Sequence, residues 1–433
     1  MKLFGTSGIR RVADRELVEL ALIVGMAVGT HYSSVVVGSD TRTSGSALKH
    51  AFASGVLAAG SEYCDIGILP TPTLALAAGE FQAGAMITAS HNPPEYNGIK
   101  LVNPDGSAFD AAQQEQIEAL ILADSLAAAG WDEINQSTTG NGAIEKHIEH
   151  ILQNTPGNLK LRIALDCGCG AASVITPDLL RRLGCEVIAL NCFPTGFFPR
   201  AVEPTEANLN DLMRATRELG ADLGIAHDGD ADRMMGVDDK GRFIPGDKLL
   251  VLFARQASSK KVVTTVDASM VIDECGFRVT RTPVGDTYVS DVLKKEGGDF
   301  GGESSGSWVF PENSLCPDGI YAAARLAAIA AGNKLSELID EIPQYYIQRG
   351  SVGSNGVMAS ELDKRLLAME PLSIDNIDGT KLNFTDGWVL IRASGTEPKI
   401  RITVEAKSEA RLNQLYDDGV KAIEDSIKKT GDN

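Results

Sequence analysis

Positive charge is in deficit in this 433-residue sequence: 40 Lys and Arg stand against 58 Asp and Glu, giving a formal charge of -18. A nucleic acid or an anionic membrane would need a broad basic surface, so no nucleic acid and no membrane is expected as partner. Any cations that meet an anionic ligand must be gathered locally. Cysteine is sparse too. The seven thiols are odd in number, scattered, and include no Cys-x-x-Cys pair, which excludes a disulfide framework and points to reduced thiols in a cytoplasmic protein. Cys167 and Cys169 lie closest in sequence, lack a second Cys or His pair at zinc spacing, and read as small buried residues. A long apolar run is also missing. Residues 20–39 carry no formal charge, yet Gly25, Gly29, Thr30, His31, Ser33 and Ser34 suit a helix, a turn and a strand rather than a membrane span. Met1 to Leu3 run straight into a glycine-rich motif, so no signal peptide is expected.

What is present is enough for several cores. With 43% hydrophobic residues and about 150 residues per domain, the length predicts about three domains with room for a small fourth. Three segments repeat one pattern: a β-branched run ending in or beside Asp, then a helical stretch, then a second strand. They are Val35 to Asp40, Arg162 to Asp166 and Val262 to Asp267. Each leads to a Gly/Ala-rich approach and a polar loop: Gly84–Ile87 into Thr88–His91, Gly220–Leu223 into Asp228–Asp230, and Gly297–Phe300 into Gly302–Ser305. Such alternation implies α/β units whose loops gather at strand ends. Gly350, Gly353 and Gly356 mark a linker to a shorter unit ending in an amphipathic helix near Leu412 to Ile427. The fold class is therefore α/β: three related mixed α/β domains, at 1–148, 149–246 and 247–350, plus a smaller α+β C-terminal domain at 351–433, around a central cleft.

The loops carry the chemistry. Asp228, Asp230 and Asp232 alternate within Asp228–Arg233, a spacing that lets three carboxylates converge on one hard cation. A calcium EF-hand loop would need Gly at 233 and usually Glu at 239, where this chain has Arg233 and Asp239, so magnesium is the expected ion. Ser90 and His91 sit side by side at the end of an apolar strand, with Pro93 and Pro94 forcing an extended exit. The Gly-x-Ser-x-Gly frame of a nucleophile elbow is absent, leaving a phosphate-accepting serine and a capping serine as readings. Arg392, Ser394, Gly395 and Thr396 hold the parts of a phosphate cradle, although a plain turn could use the same string. Glu303 and Ser305, between glycines, suit adjacent sugar hydroxyls. Gly168-Cys169-Gly170 imitates a dinucleotide fingerprint, but Ser173 replaces the third glycine, and a tight strand-to-helix turn is expected.

Taken in order, Phe4–Arg10, Thr88–Lys100, Asp228–Arg233, Gly301–Gly306 and Arg392–Pro398 resemble the α-D-phosphohexomutase family across the whole chain. The sequence is most similar to the archaeal-type phosphoglucosamine mutases and their phosphoglucomutase/phosphomannomutase relatives. The resemblance implies a phosphosugar substrate and Mg2+. It makes Ser90 the phosphate carrier, with Asp228, Asp230, Asp232 and a phosphoserine oxygen holding the metal. It also implies a hexose bisphosphate as intermediate and activator. Arg10, His91, Lys100 and Arg233 line the reacting centre in this reading. Glu303 and Ser305 meet sugar hydroxyls, while Arg392, Ser394, Gly395 and Thr396 grip the phosphate that is not reacting. Arg11 and Ser307 depart from common family residues, Gly and His respectively. Asp286, after Gly285 in a loop that by resemblance faces the sugar, is expected either to pair with an ammonium at position 2 or to cap the next helix.

Overall fold

The protein is seen in a computed structural model that describes residues 2–353, 359–393 and 399–427. The chain forms two compact units: Met1–Lys260 with Gly285–Asp340, and Lys261–Val284 with Glu341–Asn433.

The first unit begins with six strands: β1 (Ile9–Val12), β2 (Ser34–Ser39), β3 (Glu62–Ile68), β4 (Ala83–Ile87), β5 (Tyr96–Val102) and β6 (Ser137–Thr139). They lie in the order β1-β5-β4-β2-β3-β6. β2 pairs in parallel with β3 and β4, and β5 turns back antiparallel to both β4 and β1. Every residue of β4 is buried, as its unbroken Ala-Gly-Ala-Met-Ile run requires. Helices α1 (Arg15–His31) and α2 (Gly45–Ala58) cover the sheet, burying Leu17, Val24, Val28, Phe52 and Val56 with Val35, Val37, Ile87 and Ile99. The uncharged stretch 20–39 is thus helix, turn and strand. No helix among the described residues is long and apolar enough to cross a membrane.

The same scheme recurs. β7 (Arg162–Asp166), β8 (Glu186–Leu190), β9 (Leu223–His227) and β10 (Met234–Val237) lie in the order β10-β9-β7-β8, again with the loop-bearing strand β9 followed by an antiparallel return. Phe300–Gly302 and Trp308–Val309 repeat that final pair. So each polar loop spans a strand and its antiparallel neighbour, and all three belong to the first unit.

In the second unit Lys261–Thr265 and Arg278–Thr282 pair in parallel, and a five-stranded antiparallel sheet is covered by the helix Glu409–Glu424. Its first strand, Tyr346–Gly353, occupies part of the stretch expected as linker. Gly350 answers to packing, since a Cβ there would lie 1.9 Å from the Tyr416 hydroxyl, whereas a Cβ on Gly353 would meet open space. Gly356 lies outside the described residues. Glu405, fully buried, accepts from Trp388 Nε1 at 2.6 Å and Met270 N at 2.8 Å, and from Ser269 Oγ. Lys381 Nζ donates to Val266 O at 2.6 Å and lies 4.2 Å from the centre of the Trp388 ring.

Candidate active site

Ser90 follows β4 where the chain leaves the sheet. It is 1% exposed, and its φ of 50° is in the left-handed region, a conformation that costs a non-glycine residue free energy and survives only when its surroundings fix it. The surroundings here are one guanidinium. Arg42 Nη2 donates to Ser90 O at 2.8 Å and Asn92 O at 2.6 Å, and Nη1 to Pro93 O at 2.6 Å and Tyr96 O at 2.8 Å. Its Nε donates to Asp40 Oδ2 at 3.1 Å, and Asp40 in turn accepts from Thr88 Oγ1 at 2.6 Å. Thr88 Oγ1 accepts from Ser90 N at 2.9 Å, which closes the brace.

The second loop, between β9 and β10, lies against the first. A Cβ on Gly229 would approach Ser90 O to 2.6 Å, so only glycine permits this contact. Ser90 Oγ donates to Asp228 Oδ2 at 2.7 Å, stands 3.4 Å from Asp232 Oδ1, and is 3.3 Å from His91 Nδ1. Asp228, Asp230 and Asp232 are all buried, each with a carboxylate oxygen within 4.8 Å of the others. Lys100, on β5, donates to Asp230 Oδ2 at 2.9 Å and to Asp232 Oδ2. Thr71, at the start of α3 (Thr71–Ala77), donates from its hydroxyl to Asp230 Oδ2 at 2.6 Å.

Burial and mutual repulsion push the carboxyls of Asp228 and Asp232 above the usual range. Burial pushes Asp230 the same way, but Lys100 and Thr71 outweigh it and hold that group low. Burial would lower Lys100, yet Asp230 and Asp232 keep its ammonium firmly charged. One buried oxygen, Asp230 Oδ1, has no hydrogen-bond partner. An orphaned oxygen among three crowded carboxylates is the donor set of a hard divalent cation, so these residues fit the expected metal.

The basic residues close around this centre. Arg10 Nη1 donates to Asn92 Oδ1 at 3.1 Å, and Arg233 Nη1 to Glu203 Oε1 at 2.8 Å. Burial first, then Arg233, Arg10 and Lys100, drives the His91 imidazole down to about 2, so it is neutral beside Ser90.

The third loop is tied to the second by a bridge between Arg233 and Ser307 and by Met234 N donating to Gly306 O at 2.9 Å. Glu303 Oε1 accepts from Gly285 N at 2.7 Å and lies 3.3 Å from Ser305 Oγ through its other oxygen. Asp286 opens the helix Asp286–Glu296, whose N-cap is Gly285, and its Oδ1 accepts from Ser7 Oγ at 2.8 Å rather than from the helix backbone. Ser7, Thr71, Lys100, Asp232, Asp286 and Cys316 share the wall of a cavity of about 40 Å3.

The first unit thus brings together Ser90, His91, Lys100, Arg10, Arg233, the three aspartates, Asp286, Glu303 and Ser305. Arg392 belongs to the second unit, half-buried on the strand Gly387–Ala393, with Nη2 2.7 Å from Asp378 Oδ2 and a buried Nε that lacks a partner. Ser394, Gly395 and Thr396 lie outside the described residues. Sequence reasoning missed Arg42, Asp40, Thr71 and Glu203. Only Asp40 carried a signal, as the end of the first repeated strand.

Four family profiles match in succession: phosphoglucomutase/phosphomannomutase α/β/α domains I, II and III over residues 1–128, 145–241 and 245–346, and the C-terminal domain over 355–422. The chain belongs to this family, the α-D-phosphohexomutases, and is an enzyme of the phosphohexomutase type. A protein named probable phosphoglucosamine mutase from Methanocella arvoryzae is 49% identical over 424 residues, 96% of each chain. One named phosphoglucomutase/phosphomannomutase from Thermococcus kodakarensis is 42% identical over 455 residues, 99% of each. A crystal structure of a phosphoglucomutase/phosphomannomutase family protein from Burkholderia thailandensis superposes with a TM-score of 0.87 at 27% identity, covering 100% of this chain and 98% of that one.

Proposed function

We propose that this enzyme is a phosphoglucosamine mutase, which interconverts glucosamine 6-phosphate and glucosamine 1-phosphate through phosphorylated Ser90 and a hexose bisphosphate. The observation that carries the reading is Ser90 Oγ held 2.7 Å from Asp228 beside two further carboxylates and the Lys100 ammonium. A serine meant for acyl transfer would give its proton to a base held by an orienting acid, whereas this one donates to a carboxylate in the donor set of a cation, with His91 farther off at 3.3 Å.

Asp228, Asp230, Asp232 and a phosphate oxygen on Ser90 would hold magnesium, which when bound offsets charge on the transferring phosphoryl group. Ser90 gives its phosphoryl to the free hydroxyl of the sugar phosphate, the bisphosphate turns over in the site, and the other phosphate returns to Ser90. Lys100, Arg10 and Arg233 stabilise negative charge on the oxygens in flight. Glu303 and Ser305 orient sugar hydroxyls, and Arg392 with Ser394, Gly395 and Thr396 grips the resting phosphate. Asp286 faces the position 2 ammonium. The four-part division at 148, 246 and 350 and a cytoplasmic location go with this reading, supported by the profile matches and the unpaired thiols.

Intact mass and peptide mapping of active protein should find phosphate on Ser90, and Ser90→Ala should lose about 10^4-fold or more in turnover. Full turnover in that variant would end the assignment. A panel of glucosamine, glucose and mannose 1-phosphates, assayed with the matching bisphosphate, tests the sugar. The relative from Thermococcus kodakarensis favours a second reading, phosphoglucomutase/phosphomannomutase, which predicts that glucose or mannose phosphate turns over fastest.

A further inference from the structure

Of the two cysteines expected to be buried, Cys167 is and Cys169 is only half-buried. Cys167 is buried beyond the end of β7, Cys192 is half-buried beyond the end of β8, and their sulfurs are 3.4 Å apart. Cys169, the neighbour in sequence, has a φ of 59° within the tight turn Cys167–Ala171, and its N donates to Asn191 O at 2.7 Å.

Both cysteines stand at the roots of segments that brace the site. From Cys167 the turn runs to Cys169, whose carbonyl accepts from Thr41 Oγ1 at 2.9 Å, and to Ala171, whose N donates to Gly229 O at 2.8 Å inside the aspartate loop. From Cys192 the chain passes Gly196, where a Cβ would lie 2.0 Å from Thr41 O, and Phe198, whose ring centre is 5.2 Å from the Arg42 guanidinium carbon. It ends at Arg200, which bonds Asp166 Oδ2 at 3.0 Å and His227 O at 2.7 Å, next to Asp228. One segment therefore leans on the aspartate loop and the other on the arginine that fixes the Ser90 loop.

We propose that Cys167 and Cys192 form a reversible regulatory disulfide, closed by low-molecular-weight disulfides, that lowers turnover by shifting these two braces. The thiolate of Cys192 attacks one sulfur of a disulfide RSSR, making a Cys192–SR bond and releasing RS⁻. Cys167, as thiolate, then attacks Cys192 Sγ, forms the Cys167–Cys192 bond and expels the second RS⁻. Two protein thiols become one disulfide, RSSR becomes two RSH, and the protons lost by the cysteines are taken up by the leaving thiolates. Contact with Cys167 holds the Cys192 thiol below its ordinary range, while burial pushes Cys167 up, which sets the order of attack. Cys192 is itself partly exposed while Cys167 is buried, so a small disulfide meets the Cys192 end of the pair first. Bond formation must shorten the sulfur separation to about 2.05 Å, and the two backbone segments absorb the difference.

The test uses the full chain with bis(2-hydroxyethyl) disulfide, followed by peptide mapping and a mutase assay before and after dithiothreitol. We expect a Cys167–Cys192 peptide two hydrogens lighter, turnover reduced about tenfold, since ångström-scale misplacement of reacting groups costs on that order or more, and recovery on reduction. Cys192→Ser and Cys167→Ala, singly, should keep basal turnover and lose the response. Absence of the crosslinked peptide overturns the proposal, as does a crosslinked protein with unchanged turnover or an equal inhibition in both variants.

Discussion

The Ser90 loop and the aspartate loop meet within one hydrogen bond of each other, yet they are stabilised in opposite ways. Around Ser90 a fully buried cation, Arg42, satisfies four carbonyls and one carboxylate, so the loop is complete without any ligand. Around Asp228, Asp230 and Asp232 one ammonium reaches only two of the three carboxylates, two carboxyls are pushed toward protonation, and one oxygen has no partner. The first loop is preorganised by the protein, and the second waits for charge to be supplied. A nucleophile held rigid beside a cation site left underneutralised is a suitable arrangement for transferring an anion.

The comparison can be broken first at Asp230. Asp230→Asn should lower kcat by about 10^2 to 10^3 and raise the magnesium concentration needed for half activity, while the melting temperature stays near that of the parent. Thermal melts and magnesium titrations check both halves, and unchanged magnesium dependence would contradict them. Arg42→Lys makes the opposite cut. An ammonium cannot reach four carbonyls in two directions, so about 3–5 kcal/mol of stability should be lost along with about tenfold in kcat, with the magnesium midpoint unmoved. Denaturant unfolding beside the same titration separates the two variants.

A smaller effect sharpens the picture at the edge of the site. Asp286→Asn should reduce kcat/KM for glucosamine 1-phosphate by about tenfold and leave glucose 1-phosphate nearly unaffected, because only the amino sugar presents a cation to that carboxylate. An equal fall for both sugars would reduce Asp286 to a partner of Ser7.

The comparison extends to the second unit, where Lys381 is a buried cation held by one carbonyl and the face of Trp388, with no carboxylate among the described residues bonded to it. Burial, and then Arg281, lowers its ammonium from 10.5 to about 7, against Asp273, Glu405 and Asp267. Its folded pKa is below its unfolded one, so between those values the unfolded chain binds more protons and stability rises with pH. Unfolding curves from pH 7 to 9.5 should show that rise, and Lys381→Met should flatten it.

Much of this was legible in the sequence because the repeat is written in β-branched runs, and the three polar loops follow those runs at the same point. The aspartate spacing and Ser90 with His91 stood out for the same reason. Arg42 was not legible, since nothing in Asp40-Thr41-Arg42 tells that its guanidinium folds under a loop some fifty residues later. Cys167 and Cys192 meet only because β7 and β8 are parallel neighbours, a pairing that their separation in sequence does not announce. Gly350 was taken as a break in the chain, while its role is to let Tyr416 lie against a strand.

The carbonyl mesh under Ser90 has one more consequence for the proposed reaction. A nucleophile bolted to its own scaffold cannot swing between two ends of a sugar, so the sugar must do the turning. Each turn is an opportunity for the doubly phosphorylated sugar to escape into solution, and an escape leaves the serine bare and the molecule silent until it is primed again. Ordinary progress curves at high dilution should then sag with time, and a trace of bisphosphate should restore their slope.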